Sequence, residues 1–422
     1  MKILHKWLLT LCVAIACLTI VTSWALTHIE KKINVLMPSS FSDASQNLAK
    51  EFNRTHRGRI HLTITKGPLQ TESISDLAIS SLILGKAPFD LLLMDVTWVP
   101  LYAAADWLMP LDRWFSKSDI ESLAGGAKLG NSYQGKLYRW PYVTSMGLLY
   151  WRTDLMNKPP RTPDELISVS KKLQEDKKIP YGYVWQGRQY EGLSCNFLEV
   201  IDGFGGTWLD IKTGKVGLNS PAAIEAAEWM KELITSGVSP ESVTNFAEPE
   251  SLQAFRSGDA ALMRNWPFAW AELQRPDSSV KGLVGVTTMV SSPRHSPAAT
   301  LGSWGMAILK GTPNPDAAAE VIKFMSSEKA QKELFIKHGY TPTQSAVFND
   351  KELIDYSPIL SELLRALEVT KARPETPLYA QISDVLQRQL SSILTGQDKV
   401  DDGMNRAQQN TEQILISSGE KT

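Results

Sequence analysis

The stretch Phe89 to Pro100, FDLLLMDVTWVP, decides how the rest of the chain is read. Leu91, Leu92, Leu93 and Met94 make an apolar run too short for a helix core, and Lys86-Ala87-Pro88 punctuates the chain just before it. Such a run fits a strand buried on both faces, as in a parallel sheet covered by helices. Asp95 ends the run. A carboxylate at the carboxyl end of a parallel strand stands in the crevice where open α/β sheets hold ligands. Trp98 follows three residues later, and Pro100 sets a turn. Asp95 therefore has two readings: an acceptor for the hydroxyls of a polyol, or a cap on the next helix. Trp98 also has two: a ring covering the C–H face of that ligand, or core packing.

Outward from this stretch the chain reads as alternating strands and helices. Ile33 to Met37 is a strand, Pro38 to Asp43 a first βα loop, and Ala44 to Asn53 a helix with Leu48, Ala49 and Phe52 on one face. Ile60, Leu62 and Ile64 alternate as a second strand, and Ser75 to Leu84 is a helix ended by Gly85. This β-α-β-α-β order predicts a mostly parallel sheet. A second α/β region starts at Tyr181, with a helix from Glu191 to Ile201. Ser220 and Pro221 open another helix as N-cap and first helical residue. Ser251 to Phe255 reads as a short helix, and Ala260 to Met263 as a strand leading into Arg264-Asn265-Trp266-Pro267.

The 422 residues suggest two or three domains, and 43% hydrophobic with 21% charged residues describes a folded chain. A formal net charge of -1 leaves no basic excess for a phosphate backbone, so nucleic acid is a poor partner. Residues 1 to 26 read as a signal or membrane-anchor segment: Lys2 and Lys6 precede an uncharged, mostly apolar run from Trp7 to Leu26. Three readings stay open: cleavage after Ala25, a lipid anchor on Cys17, or a retained membrane helix. All three place the remainder outside the inner membrane. Only Cys195 lies in the body, so neither an internal disulfide nor a cysteine metal cluster is expected there.

No catalytic motif stands out. There is no H-E-x-x-H, no G-x-S-x-G and no phosphate loop, and the six histidines show no ligand spacing. Asp95, Glu191 and Asp202 are the candidate carboxylates for glycoside hydrolysis, but nothing in their spacing makes a pair. What recurs is an aromatic residue at a Gly- or Pro-marked strand end: Trp98, Trp140, Tyr190, Trp266 and Trp304. Together they favour a sugar-lined cleft, with rings on apolar sugar faces and nearby polar groups satisfying hydroxyls.

The chain resembles the extracellular solute-binding proteins that serve sugar ABC importers, most closely the trehalose/maltose-binding subgroup and also glucosylglycerol-binding members. The segments that carry the likeness are FDLLLMDVTWVP, GLLYWRTDL at 147 to 155, YEGLSCNFLE at 190 to 199, RNWPFAW at 264 to 270, LGSWGMAI at 301 to 308 and ARPETPLY at 372 to 379. The resemblance implies two α/β lobes, 32–142 plus 303–343 and 143–302 plus 344–418, hinged around an interlobe ligand cleft. Asp95 and Arg373 should make hydrogen bonds in that cleft, Arg373 to hydroxyls or to Asp95. Tyr190, Glu191 and Gly192 should form a wall, Asn265 and Trp266 should come from the second lobe, and Gly302 and Trp304 from a crossing. Trp98 joins these as a further ring. It also implies a small oligosaccharide or glycoside as ligand (trehalose, sucrose, maltose or glucosylglycerol), permease subunits as partners, a monomer, no cofactor or metal, and a periplasmic or extracytoplasmic location. Two departures touch the site: Asp43 does not clearly replace the acidic residue relatives carry in the first loop, and Ser303 stands where Gly is expected, narrowing the space beside Trp304. A secreted carbohydrate-active enzyme is the alternative, and a sugar sensor coupled to a receptor a third class.

Overall fold

The computed structural model describes residues 30–69, 71–85 and 88–419. The expectations for residues 1–26, including the anchor at Cys17, lie outside the described residues.

The first sheet forms around the opening stretch. Strands β1 (Lys31–Pro38), β2 (Ile60–Gly67) and β3 (Leu91–Asp95) lie in the order β2-β1-β3, both pairs parallel. Leu91 and Leu93 enter one core with Ile33, Val35 and Met37, whereas Leu92 and Met94 join Leu36 in the core on the other face. The strand carries no polar face because both faces are covered. Leu91 to Met94 are at most 1% exposed, which stabilises by roughly 1.5–3 kcal/mol per side chain.

The helix after β1 runs Ser39–Thr55 and starts directly behind Pro38. Residues 39–43, read as a loop, form its first turn. The serines there favour turns, but Phe41 is buried at helical spacing with Ala44, Ser45 and Leu48, and packing outweighs local propensity.

Apart from two short hairpins, the strands that follow are β4 (Trp140–Val143), β5 (Leu148–Arg152), β6 (Tyr181–Val184), β7 (Ala260–Asn265), β8 (Val284–Thr287), β9 (Ala299–Thr300), β10 (Trp304–Ile308) and β11 (Thr370–Lys371). The first sheet is completed as β2-β1-β3-β10-β4, and β10 is antiparallel to both neighbours. The sheet is therefore mixed rather than mostly parallel, since β10 returns from a distant part of the chain. The second sheet is β8-β5-β7-β6, with only β7 and β6 parallel. Its two faces also carry separate cores: Leu149 and Leu262 on one, Leu148, Tyr150 and Met263 on the other. The helix Tyr379–Leu394 adds Ile382, Leu386 and Leu390 to the first of these.

The result is two α/β lobes. Three short segments pass between the sheets side by side. Thr144 N donates to Thr341 O at 3.1 Å, and Gly302 N donates to Ser145 O at 2.8 Å. Short adjacent connections of this kind make a hinge.

Candidate functional site between the lobes

Asp95 ends β3 in the first lobe and faces Trp304 of β10 in the ladder. The structure shows this carboxylate as the cap on the turn that follows it. Its Oδ1 accepts from Thr97 N at 2.9 Å and Thr97 Oγ1 at 2.8 Å, capping the turn Val96–Trp98. The same oxygen accepts from Arg373 Nη2 at 2.9 Å, and Oδ2 accepts from it at 3.2 Å. Val96 N donates to Ser303 O at 3.0 Å, so the strand end abuts the crossing.

Arg373 follows β11 and reaches both lobes. Its Nη1 donates to Glu191 Oε1 at 2.7 Å, at the start of the second-lobe helix Glu191–Gly203. Its side chain is 2% exposed. Burial alone would lower its pKa, but Asp95 and the other anions around it hold the guanidinium well above its usual value. Glu191 also accepts from the Tyr379 hydroxyl, from Ser383 Oγ at 2.8 Å and from Gln387 Nε2 at 3.5 Å. Burial pushes its carboxyl up, opposed by Arg373, Tyr379 and Ser383. The lobes meet here a second time. Glu72, on the first-lobe helix Thr71–Ile83, accepts from Glu191 N at 3.3 Å. Tyr190, the N-cap of the helix Glu191–Gly203, supplies no side-chain cap of its own.

The aromatic candidates divide between the lobes. Trp98 is largely core: it stacks on Tyr102 at 5.9 Å and is 8% exposed, though its ring also meets Trp304 edge-on at 5.5 Å. Trp304 is half-buried and lies 5.4 Å from Phe41, which stacks on Tyr340 at 4.9 Å. In the second lobe, Trp266 and Tyr190 are half-buried, and one arginine covers a face of each. Arg264 Cζ lies 3.9 Å from the Trp266 ring and Arg188 Cζ 4.7 Å from the Tyr190 ring. Gly192 and Gly302 leave room for these rings: a Cβ at either would run into Tyr190 or Trp266 respectively. Trp140 is packed in the core against Phe115 at 4.1 Å.

Asn265 is fully buried and turned inward, its Nδ2 donating to Glu248 O at 3.2 Å and its Oδ1 accepting from Trp266 N at 2.9 Å. Ser303 is also fully buried. Its Oγ accepts from Arg139 Nη2 at 2.6 Å and donates to Val143 O at 3.1 Å, so it faces the interior and not the space beside Trp304. Among the described residues Arg139 donates to neutral acceptors, Ser303, Asn131 and Met94 O. Burial lowers it to about 9, with Asp95 opposing. Asp43 is exposed and paired with Lys66 at 2.8 Å.

Two groups escaped the sequence reading. Glu248 accepts from Trp266 Nε1 at 2.9 Å and from the Tyr190 hydroxyl at 2.8 Å. The helix carrying it runs Glu248–Arg256; starting that helix at Ser251 had left Glu248 in a loop. Arg264 and Glu199 form an ion pair at 2.5 Å with both side chains unexposed, and Glu199 Oε1 also accepts from Thr300 N at 3.1 Å. Glu199 lies on the helix two turns beyond Glu191, and its partner is 65 residues away, so only the fold brings them together.

A polar surface hollow of about 540 Å³ lies elsewhere, lined by Asp202, His295 and Lys371, with Lys371 and Asp202 paired at 3.3 Å. None of the ring residues reaches it. Among the described residues no three His, Cys, Asp or Glu side chains converge as a metal site, and no helix is long and apolar enough to cross a membrane.

Comparison with known proteins agrees with two lobes around a cleft. A maltose-bound MalE3 structure from T. maritima superimposes with a TM-score of 0.85 at 33% identity, over 91% of this chain and 100% of that one. A probable ABC transporter-binding protein of Deinococcus radiodurans is 34% identical over 318 residues, 72% of this chain and 75% of that protein. A maltotriose-binding protein of Pyrococcus abyssi is 26% identical over 314 residues, 74% and 66% of the two chains. The model of the bacterial extracellular solute-binding protein family matches residues 38–332. With that match covering the second sheet and every strand of the first except β1, this chain belongs to the bacterial extracellular solute-binding proteins.

Proposed function

We propose that the protein binds a small uncharged sugar or glycoside between its lobes and delivers it to the permease subunits of an ABC importer. The observation that carries this reading is Arg373, whose one guanidinium joins Asp95 of the first lobe to Glu191 of the second. Each lobe also carries half-buried rings, Trp304 in the first and Tyr190 and Trp266 in the second, with Trp98 packed edge-on to Trp304. Arg373 and Arg264 are both engaged by carboxylates, which suits hydroxyl-bearing ligands better than anionic ones. The maltose-bound relative and the maltotriose-binding relative favour α-glucosides; trehalose, sucrose and glucosylglycerol remain in the set. Segments 32–142 plus 303–343 then move as one lobe against 143–302 plus 344–418. Ligand contacts on both shift the population toward the closed form, which the permease reads. The protein acts outside the cytoplasmic membrane, as a monomer.

The raised carboxyl of Glu191 is what a glycosidase acid would need. Its oxygens, however, already accept from Arg373, Tyr379, Ser383 and Gln387. Asp202 sits with Lys371 in the other hollow. Neither is free to reach a glycosidic oxygen. The test is calorimetric titration with maltose, trehalose, sucrose, glucosylglycerol and glucose, followed by product analysis. Saturable binding of intact sugar supports the reading. No binding to any of the five removes it, and hydrolysed sugar replaces it with an enzyme.

A further inference from the structure

Glu248 holds both aromatic walls of the second lobe at once. One carboxylate oxygen takes the indole N–H of Trp266 at 2.9 Å, and the other takes the phenol of Tyr190 at 2.8 Å. The two rings sit on unconnected elements: Tyr190 precedes the helix Glu191–Gly203, and Trp266 follows β7. Neither ring is fixed by its own backbone, because a side chain on a short connection retains rotamer freedom.

The residue itself is anchored. It opens the helix Glu248–Arg256, where Pro249 occupies the first turn and Glu250 accepts from Ala247 N at 2.8 Å. Ser251 Oγ donates to Ala247 O at 2.6 Å and accepts from Gln186 Nε2 at 2.7 Å. The buried amide of Asn265 holds the Glu248 carbonyl at 3.2 Å. Asn265 also accepts from Trp266 N, so it ties the helix start to the strand end that carries the indole. Arg264 and Arg188 lie over one face of the Trp266 and Tyr190 rings, at 3.9 and 4.7 Å. Each ring is thus fixed in tilt by an arginine and in direction by Glu248.

We infer that Glu248 is the positioning residue that sets the angle between Tyr190 and Trp266, and with it the shape of sugar the second lobe accepts, Asn265 acting through it. This rests on the reading that these two rings line a sugar cleft. A planar ring stacks productively on a sugar only when its face is held parallel to the C–H face, so the gain lies in orientation paid before binding. Glu248 need not touch the ligand.

The experiment uses the purified full chain and calorimetry with maltose and trehalose. The variants are Glu248→Leu, Glu248→Gln, Tyr190→Phe, Trp266→Ala and the double variant Glu248→Leu/Tyr190→Phe. Leu keeps the volume and removes both acceptors. Gln keeps an acceptor for the indole and offers an N–H to the phenol oxygen. The expected result is that Leu weakens maltose about tenfold, that Gln restores affinity to within about threefold, and that Tyr190→Phe adds nothing once Glu248 is Leu. Should Leu not fold, Tyr190→Phe and the Gln variant decide: Tyr190→Phe must weaken binding, Gln must stay within about threefold of the wild type, and the ratio of maltose to trehalose affinity must move in both. Trp266→Ala separates the two levels of the argument. If it weakens maltose while Glu248→Leu and Glu248→Gln bind as wild type, the positioning role is overturned and the sugar cleft stands. If Trp266→Ala binds as wild type, the cleft reading fails and the role of Glu248 falls with it. Additive losses from Tyr190→Phe and Glu248→Leu also overturn it, since they would mean the two do not act through one contact.

Discussion

Gly302 leaves room for the Trp266 indole: a Cβ added there would stand 2.9 Å from Cζ3 and 3.1 Å from Cη2. Gly302 lies on the crossing beside Ser145, whereas Trp266 belongs to the second lobe, so this clearance joins hinge and wall. The ring cannot retreat freely, with Arg264 at 3.9 Å over its face and Glu248 holding its N–H. Gly302→Ala is therefore expected to weaken sugar binding about tenfold, or ~1.4 kcal/mol, with little change in melting temperature. Calorimetry alongside thermal denaturation checks it; wild-type affinity would mean that the indole is free to move.

The Arg264–Glu199 pair holds the base of the same wall. Both side chains are fully buried, and Glu199 also takes Thr300 N. Removing one partner strands the other in a dry interior, where its charge has no water to turn to. Glu199→Ala should cost about 3–5 kcal/mol of unfolding free energy, read from urea midpoints. The Gln variant should cost less, because it still offers an oxygen to Arg264.

How much of this was open to the sequence depends on distance along the chain. The strand at 91–95 was legible because four apolar residues followed by an acid leave few alternatives, and Asp95 was placed at the right end of it. Asp95 and Arg373 were named together through the resemblance, and the structure brings them within hydrogen-bond reach. The direction of a side chain was not legible. Asn265 sits beside Trp266 in sequence yet turns its amide to Glu248, and Ser303 turns to Arg139 instead of the cleft. Glu248 went unseen because the helix reads as starting at Ser251, which leaves this residue as one more acidic group in a loop. The antiparallel entry of β10 was hidden because its neighbours β3 and β4 lie far from it in sequence.

Glu191 gives a pH signature. Its folded pKa is raised above the ordinary 4.5 by burial, which Arg373, Tyr379 and Ser383 only partly offset. Between the ordinary value and the raised one, the folded protein holds a proton that the unfolded chain has lost. This contribution to stability is therefore present at low pH and fades as pH rises through that window. Glu191→Gln carries no titrating proton there. Its melting temperature should fall less than that of the wild type as pH is raised upward from 4.5. Parallel curves for the two proteins would assign the pH dependence to another group.

Arg373 offers the sharpest test of lobe coupling, because its two nitrogens serve different lobes. Nη2 binds Asp95 and Nη1 binds Glu191, and the same Nη2 lies 3.4 Å from Leu301 O on the crossing. Lysine at this position keeps one charge but cannot fork, so it can satisfy one carboxylate and leaves the other short of a partner. Arg373→Lys should therefore weaken maltose nearly as much as Arg373→Ala, by roughly 10- to 100-fold, given about 1.5–3 kcal/mol for a lost charge-assisted bond. Small-angle scattering distinguishes a local loss from a loss of coupling. If the guanidinium links the lobes, both variants should have a larger radius of gyration than the wild type without sugar. Saturating maltose should compact the variants less than it compacts the wild type. A lysine variant with wild-type scattering and weak binding would confine Arg373 to the ligand side of the cleft and leave the lobes held by other contacts, among them Glu72 at Glu191 N.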